Sequence, residues 1–258
     1  MPIITLTSDW GHSDHYIGAV KGSILSQLPD VKIIDISHQV APFNIEQAAF
    51  ILKNCYKNFP KGTIHIIGVN TEESDKNPHT VVFINDHYFI GTDNGIFSMI
   101  FDKPPKKIIE LNIMRDSDYF TFSTRDRFVK AAIHIAEGKK IEDLGVERKK
   151  VNEKILFKPA VEKNIIKGII IYIDSFENVI TNITEQLFKK IGKGRKFSVL
   201  FRGESINKIY KSYNDVPVGE IVAIFGSNGH LEIAINQGNA SGLLGLGIND
   251  TVMIEFEG

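Results

Sequence analysis

Cysteine is almost missing from this chain: Cys55 is the single one among 258 residues. That excludes an internal disulfide and any metal site built on several thiolates. Charge of one sign is lacking too. Lys and Arg total 30 against 31 Asp and Glu, a formal net charge of −1. No overall field therefore draws the chain to nucleic acid or to an anionic membrane. No apolar run approaches the roughly 20 residues that span a bilayer. Nor does a basic region followed by an apolar stretch of signal-peptide length open the sequence. The expected location is cytoplasmic, with neither membrane nor nucleic acid as partner. Phosphate-loop and nucleophile-elbow patterns are absent, and Gly242, Gly245 and Gly247 lack the spacing and strand-to-helix setting of a dinucleotide fingerprint. Asp9, His12, Asp14 and His15 offer ligand atoms close in sequence, but their spacing fits no standard metal motif, so no metal is expected.

What is present is an ordinary globular composition, 43% hydrophobic and 24% charged, long enough for one large domain or two small ones. The first half alternates strand and helix signals. Ile3-Ile4 opens a buried strand, and Ile17, Val20, Ile24 and Leu28 recur at helical spacing. Lys32 to Ile36 and Thr63 to Val69 are further strands, and Asn44-Ile-Glu-Gln47 has the pattern of a capping box. The helix it opens has Ile45, Ala48, Ala49, Leu52 and Cys55 on one face, which predicts a buried, inert thiol. Val81 to Ile84 and Tyr88 to Ile90, joined by Asn85-Asp86, form a hairpin pattern. Asn94 to Phe101 is a short helix and Lys107 to Leu111 a strand. Phe128, Val129, Ala132, Ile133 and Ala136 mark one more helix.

After Gly145 the composition changes, and strands dominate: Ile169 to Ile173, Lys196 to Arg202, Glu220 to Phe225, Leu231 to Ile235 and Thr251 to Phe256. The expected architecture is an α/β N-terminal domain with a central sheet over residues 1–150, a linker over 151–164, and a small β-barrel-like domain over 165–258.

Three stretches carry candidate chemistry. Asp9 ends the first strand, with Gly11 permitting a sharp turn and Asp14 placed to cap the following helix. In open α/β sheets the ligand crevice lies beyond the carboxyl ends of the strands. A carboxylate there accepts hydrogen bonds from a vicinal diol such as ribose; the competing role is a local Asx turn. Ser123 and Thr124 precede a helix, with capping as their plain structural role. In Ile173 to Ile183, Asp174, Phe176 and Asn178 alternate, which in an extended segment places carboxylate, ring and amide on one side, suited to an ammonium and an adenine. The competing picture is a polar hairpin with one packed aromatic.

Taken together, these boxes resemble the S-adenosylmethionine hydroxide adenosyltransferase family, relatives of the bacterial fluorinating and chlorinating enzymes. The resemblance covers nearly all of the chain. It includes Ser8-Asp9-Trp10-Gly11, Tyr16, Lys21-Gly22, Ile34 to His38, Pro42-Phe43, Phe59 to Thr63 and Gly91 to Gly95. Thr121-Phe122 with Arg125-Asp126 resembles the family's T-F-H-G-R-D box, and Ile173 to Ile183 its I-D-x-F-G-N-x-x-T-N-I box. Ser227, Gly229, Leu231 to Ala234 and Asn236 match its final strand pair. The resemblance implies that Asp9 binds the ribose hydroxyls, that Phe43 and Phe122 wall the sugar, and that Asp174 with Ser227 holds the methionine end. Phe176 and Asn178 would contact adenine, and Trp10 and Asn228 join the substrate-binding set. It also implies a homotrimer with sites between subunits, and S-adenosylmethionine as substrate or ligand, without a cofactor.

The departures are equally informative. The family's hydrolases carry an Asp, an Arg and a His that orient the attacking water. Here the corresponding positions are Asn70, Asn77 and Ser123, with Lys76 and His79 as nearby substitutes. Glu177 replaces a glycine of the adenine-side box. With Thr124, which matches a serine of the fluorinating enzyme, Asn70, Asn77 and Ser123 are the expected catalytic positions. The leading expectation is a slow hydrolase producing adenosine and L-methionine. The alternative is a weak or silent binding protein for S-adenosylmethionine or adenosine. Halide as nucleophile is disfavoured, because no long insertion lies between Thr80 and Asn94.

Overall fold

The computed structural model describes residues 2–114, 121–155 and 157–258. Its contacts divide the chain into two compact units, Met1–Ile155 and Leu156–Gly258.

The first unit is built on seven strands: β1 (Ile3–Ser8), β2 (Lys32–Ser37), β3 (Ile64–Gly68), β4 (His79–Ile84), β5 (His87–Thr92), β6 (Lys107–Leu111) and β7 (Gly145–Glu147). They form one sheet in the order β2-β1-β3-β5-β4-β6-β7. The pairs β1–β2, β1–β3 and β3–β5 are parallel, while β4–β5, β4–β6 and β6–β7 are antiparallel. Because side chains alternate across a strand, Ile66, Val81 and Ile90 face one core and Ile67, Val82 and Phe89 the other. The first core is covered by α1 (Tyr16–Leu25) and α4 (Val129–Ala136), the second by α2 (Ile45–Cys55) and α3 (Ile96–Ile100). The expected α/β layering is what the chain adopts. Its topology also fixes where a ligand belongs. The chain leaves β1 for β2 on one side and later returns as β3 on the other, so a crevice opens beyond the carboxyl ends of β1 and β3.

Local chemistry explains several boundaries. Asn44 Oδ1 accepts from the Gln47 amide at 2.9 Å. The second limb of that box is redirected, with Gln47 Oε1 accepting from the Ala41 amide at 2.7 Å. In the β4–β5 hairpin, Asn85 (φ 52) and Asp86 (φ 63) are both left-handed, the backbone of a two-residue turn whose twist suits paired strands. The expected Asp14 cap does not form. His15 takes the N-cap position of α1 in a helical conformation, without a side-chain capping bond. A cap needs a non-helical residue there to aim its oxygen at the first free amides.

Cys55, at the end of α2, is half-buried, and burial pushes its thiol up to about 11. At pH 8 little of it is thiolate, the form that reacts. Iodoacetamide should therefore label the folded protein far more slowly than the urea-unfolded one, as read by mass spectrometry; equal rates would contradict this.

The second unit contains β8 (Ala160–Glu162), β9 (Ile165–Ile173), β10 (Val179–Thr184), β11 (Phe197–Phe201), β12 (Glu204–Ile206), β13 (Ile221–Phe225), β14 (His230–Ile235) and β15 (Thr251–Phe256), with α5 (Glu185–Gly192) and α6 (Ala240–Leu244). All its strand pairs are antiparallel, in the order β12-β11-β15-β9-β10-β14-β13 with β8 added beside β9. The sheet curls into a nearly closed barrel around Ile166, Ile170, Val179, Ile233, Val252 and Ile254. Within 151–164, the Asn152 amide donates to the Asp93 carboxylate at 2.9 and 3.0 Å, while Ala160 to Glu162 already pair with β9.

Candidate active site

The crevice of the first unit is assembled from four loops. Directly after β1, Asp9 Oδ2 accepts from the Phe43 amide at 2.9 Å. This bond spans 34 residues, so the carboxylate is not spent on a local Asx turn. Phe43 holds φ 63 and is 72% exposed, an aromatic ring left to solvent beside a carboxylate. Trp10 lies over the end of β3, where a Cβ on Gly68 would come within 2.4 Å of its ring, so only glycine fits. The indole stacks on His38 (6.1 Å, 18°) and meets Phe122 edge-on at 5.6 Å. The structure thus brings Asp9, Trp10, Phe43 and Phe122 together.

Beneath them runs a polar chain that sequence reasoning missed. Lys21 Nζ donates to Asp35 Oδ2 at 2.5 Å. Asp35 Oδ1 lies 3.1 Å from His38 Nε2, off the line of an ideal hydrogen bond, and His38 Nδ1 is 2.6 Å from Ser8 Oγ. Burial lowers the His38 pKa against the opposing pull of Asp35. Burial alone would raise that of Asp35, but Lys21 and His38 hold it below the ordinary range. A neutral His38 with its proton on Nε2 suits this order. Its signal in the sequence is Asp35 and His38 three residues apart, beside Ser8.

Around the expected water-handling positions the picture is mixed. Asn70 follows β3 with φ 48, a conformation asparagine tolerates well, and its carbonyl accepts from Asn94 Nδ2 at 3.1 Å. Asn77 closes a tight turn, its amide donating to the Ser74 carbonyl (3.0 Å) and hydroxyl (3.1 Å). Ser123 and Thr124 are 6% and 1% exposed. Neither caps a helix: Ser123 is already helical (φ −56), and the chain winds through one π turn, Thr124–Phe128, before α4. Thr124 Oγ1 is buried with no hydrogen-bond partner among the described residues. Such an orphaned hydroxyl is uncommon and calls for an explanation.

The loop and the π turn are joined by a network invisible in the linear sequence. Arg127 Nη1 donates to Glu73 Oε2 (2.5 Å) and His79 Nδ1 (3.0 Å), and Nη2 to the Leu111 carbonyl (2.8 Å). His79 Nε2 is 2.9 Å from the Thr71 carbonyl, so the buried imidazole uses both nitrogens. A carboxylate, a guanidinium and an imidazole thus meet here, at positions other than 70, 77 and 123.

In the second unit, Asp174 to Asn178 joins β9 to β10. The segment is not extended, so alternation is not what gathers its side chains. It is a three-residue hairpin loop: the Glu177 amide donates to the Asp174 carbonyl (3.0 Å), and Glu177 takes φ 60. Asp174 Oδ1 accepts from the Phe176 and Asn178 amides, and Oδ2 from Asn178 Nδ2. The hairpin reading was right in outline, but its aromatic is not packed: Phe176 is 75% exposed. Ser227 and Asn228 occupy the β13–β14 turn, Asn228 Oδ1 accepting from the His230 amide at 2.9 Å, with Ser227 exposed. Nearby in the same unit Glu232 is buried and bound by the Tyr213 hydroxyl at 2.5 Å. Burial raises its pKa, the Tyr213 bond opposes this, and the charge of Asp174 adds to the rise. Among the described residues no group of three or more His, Cys, Asp or Glu could hold a metal, and no helix is long and apolar enough to cross a membrane.

Both units find counterparts among known proteins. The chain is 32% identical to the (R)-S-adenosyl-L-methionine hydrolase of Methanocaldococcus jannaschii, covering 99% of this chain and 97% of that one. It is 29% identical to the protein of the same name from Thermus thermophilus, over 93% and 94% of the two chains. An uncharacterized conserved protein of Thermotoga maritima has a similar crystal structure, with TM-score 0.89 and 30% identity over 98% of this chain and 99% of that one. Residues 4–145 match the SAM hydroxide adenosyltransferase N-terminal domain and residues 168–253 its C-terminal domain. With both domains matched in order, the chain belongs to the SAM hydroxide adenosyltransferase family.

Proposed function

We propose that this protein hydrolyses S-adenosyl-L-methionine, in the (R) form named for its relatives, to adenosine and L-methionine. The observation that carries the reading is the 32% identity, over nearly the full length of both chains, to a protein named for that reaction. Water attacks C5′ of the ribose, the carbon–sulfur bond breaks with its electron pair going to sulfur, and the excess proton of the attacking water passes to solvent. The sulfonium leaves as a neutral thioether, so the leaving group needs no general acid. The protein's tasks are alignment of the nucleophile opposite sulfur and exclusion of competing water.

The residue assignments follow from what each side chain has left to offer. Asp9 uses one oxygen on Phe43, which leaves the other for the ribose diol. Asp174 accepts three bonds from its own turn, and a carboxylate with about four acceptor sites keeps one for the methionine ammonium. Ser227 assists at the methionine end, and Phe43, Phe122 and Trp10 surround the sugar. Phe176 and Asn178 take the adenine, and Asn228 of the β13–β14 turn completes the substrate-binding set. Asn70, Asn77, Ser123 and Thr124 orient water through amide and hydroxyl groups without deprotonating it well. Loss of general-base help typically lowers a rate ~10²–10⁴-fold, so turnover is slow. The reading includes a homotrimer in the cytoplasm and no cofactor.

Incubated with the substrate, the purified protein should release adenosine and methionine in equal amounts above a no-protein control, with the (R) form consumed in preference to the (S). Binding by calorimetry without release over hours would overturn hydrolysis. A parallel incubation with chloride or fluoride addresses the orphaned Thr124 hydroxyl. A halide-dependent 5′-halo-5′-deoxyadenosine product would overturn water as the nucleophile.

A further inference from the structure

The β9–β10 loop has a feature that its own hairpin does not explain. Its third residue sits in the left-handed region, the position that glycine occupies in such loops because it has no Cβ to strain. Here that residue is Glu177, with φ 60. Something must offset the strain, and the contacts identify it. The Glu177 carbonyl accepts from the Ser241 amide at 2.9 Å, and its carboxylate accepts from the Gly242 amide at 3.0 Å. Ser241 and Gly242 lie in the first turn of α6, whose own N-cap residue, Asn239, makes no side-chain capping bond. Glu177 therefore caps α6 from outside, satisfying amides that a helix start leaves unpaired. The partner is matched to it, since a Cβ at Gly242 would stand 2.9 Å from the Glu177 carboxylate.

The consequence falls on the residues either side. Phe176, largely exposed, and Asn178, whose amide group is tied to Asp174, are the proposed adenine contacts. A turn fixed at one end only by its own hydrogen bonds leaves an exposed ring free to wander. A turn also bolted to α6 presents that ring in one place, and ordering done beforehand is not charged to binding. We propose that Glu177 is a positioning residue for adenine recognition, bracing the Phe176–Asn178 turn against α6 through the Gly242 and Ser241 amides. This rests on the adenosyl-binding reading above.

The test compares wild type, Glu177→Gly and Glu177→Gln, each measured for adenosine affinity by calorimetry, for KM and kcat with S-adenosylmethionine, and for Tm. Glycine relieves the left-handed backbone while removing the side-chain bond, so Tm should hold or rise. Adenosine Kd and KM should nonetheless rise roughly tenfold in Glu177→Gly, with kcat little changed, if one side chain's ordering is lost. Glutamine keeps an acceptor for the Gly242 amide and should stay close to wild type. Equal Kd in all three, or an affinity loss that tracks a fall in Tm, overturns the positioning role. If wild type itself binds neither adenosine nor S-adenosylmethionine, the functional reading fails, and the assignment falls with it.

Discussion

Asn70→Asp, Asn77→Arg and Ser123→His introduced together should speed adenosine release on the order of 10²-fold, the lower end of what a general base contributes. The backbone favours two of these changes. Asn70 is left-handed, where Asp is also tolerated, and Asn77 lies in an exposed turn held by its main-chain amide, so its side chain is free to change. Ser123 is the difficult position. It is 6% exposed, and forcing an imidazole into a filled space typically costs about 1–3 kcal/mol. The triple variant should therefore be faster but less stable. Product formation per active site, corrected for the folded fraction from a melt, is the measurement. If wild type already matches the variant, then its own groups activate water fully, and the assignment of Asn70, Asn77 and Ser123 as weakened positions is wrong.

Arg127→Met should produce the largest loss of stability. The guanidinium side chain is 8% exposed and serves Glu73, His79 and the Leu111 carbonyl. Removing one partner of a buried pair commonly costs about 3–5 kcal/mol, because the other charge stays desolvated. The Glu73 side chain is 29% exposed, which places the expected loss toward the lower end. Urea denaturation at pH 7 reads it as a lower midpoint with an unchanged slope. The pH dependence has a definite sign. Burial alone would raise the pKa of Glu73, but His79 and Arg127 outweigh it, and the group lies below its ordinary value of 4.5. Its stabilisation is complete above that value and is lost as pH falls through the lowered one. The gap between wild type and Arg127→Met should accordingly narrow below pH 4.5. A gap that stays constant into acid would show that Glu73 does not carry the effect.

Much of the fold could be read from periodicity, since the strands and helices of the first unit rest on apolar spacing that local burial reproduces. The Asn85-Asp86 hairpin was legible because two adjacent left-handed residues have few alternatives. Helix starts were less so. Ser123, Thr124 and Asp14 are the right residue types for caps, but capping depends on one backbone angle that composition does not encode. The helix α5, with its Thr184 cap on the Leu187 amide, escaped notice because the polar run around it resembles a turn. In the candidate site, single residues in family boxes were legible. Networks were not: Glu73, His79 and Arg127 meet only because the β3–β4 loop, the start of β4 and the π turn converge, and no spacing in the sequence marks that. Glu177 was visible as a departure from glycine, yet its role needed the position of α6.

The Lys21–Asp35–His38–Ser8 chain bears on how the protein responds to its surroundings. Lys21 and His38 favour the ionised form of Asp35, and burial favours the neutral form of His38, under Trp10. Histidine is the side chain that ordinarily turns a drift in cellular acidity into a change of charge. Burial shifts that response in His38 toward more acid conditions than a solvated imidazole in the same place would show.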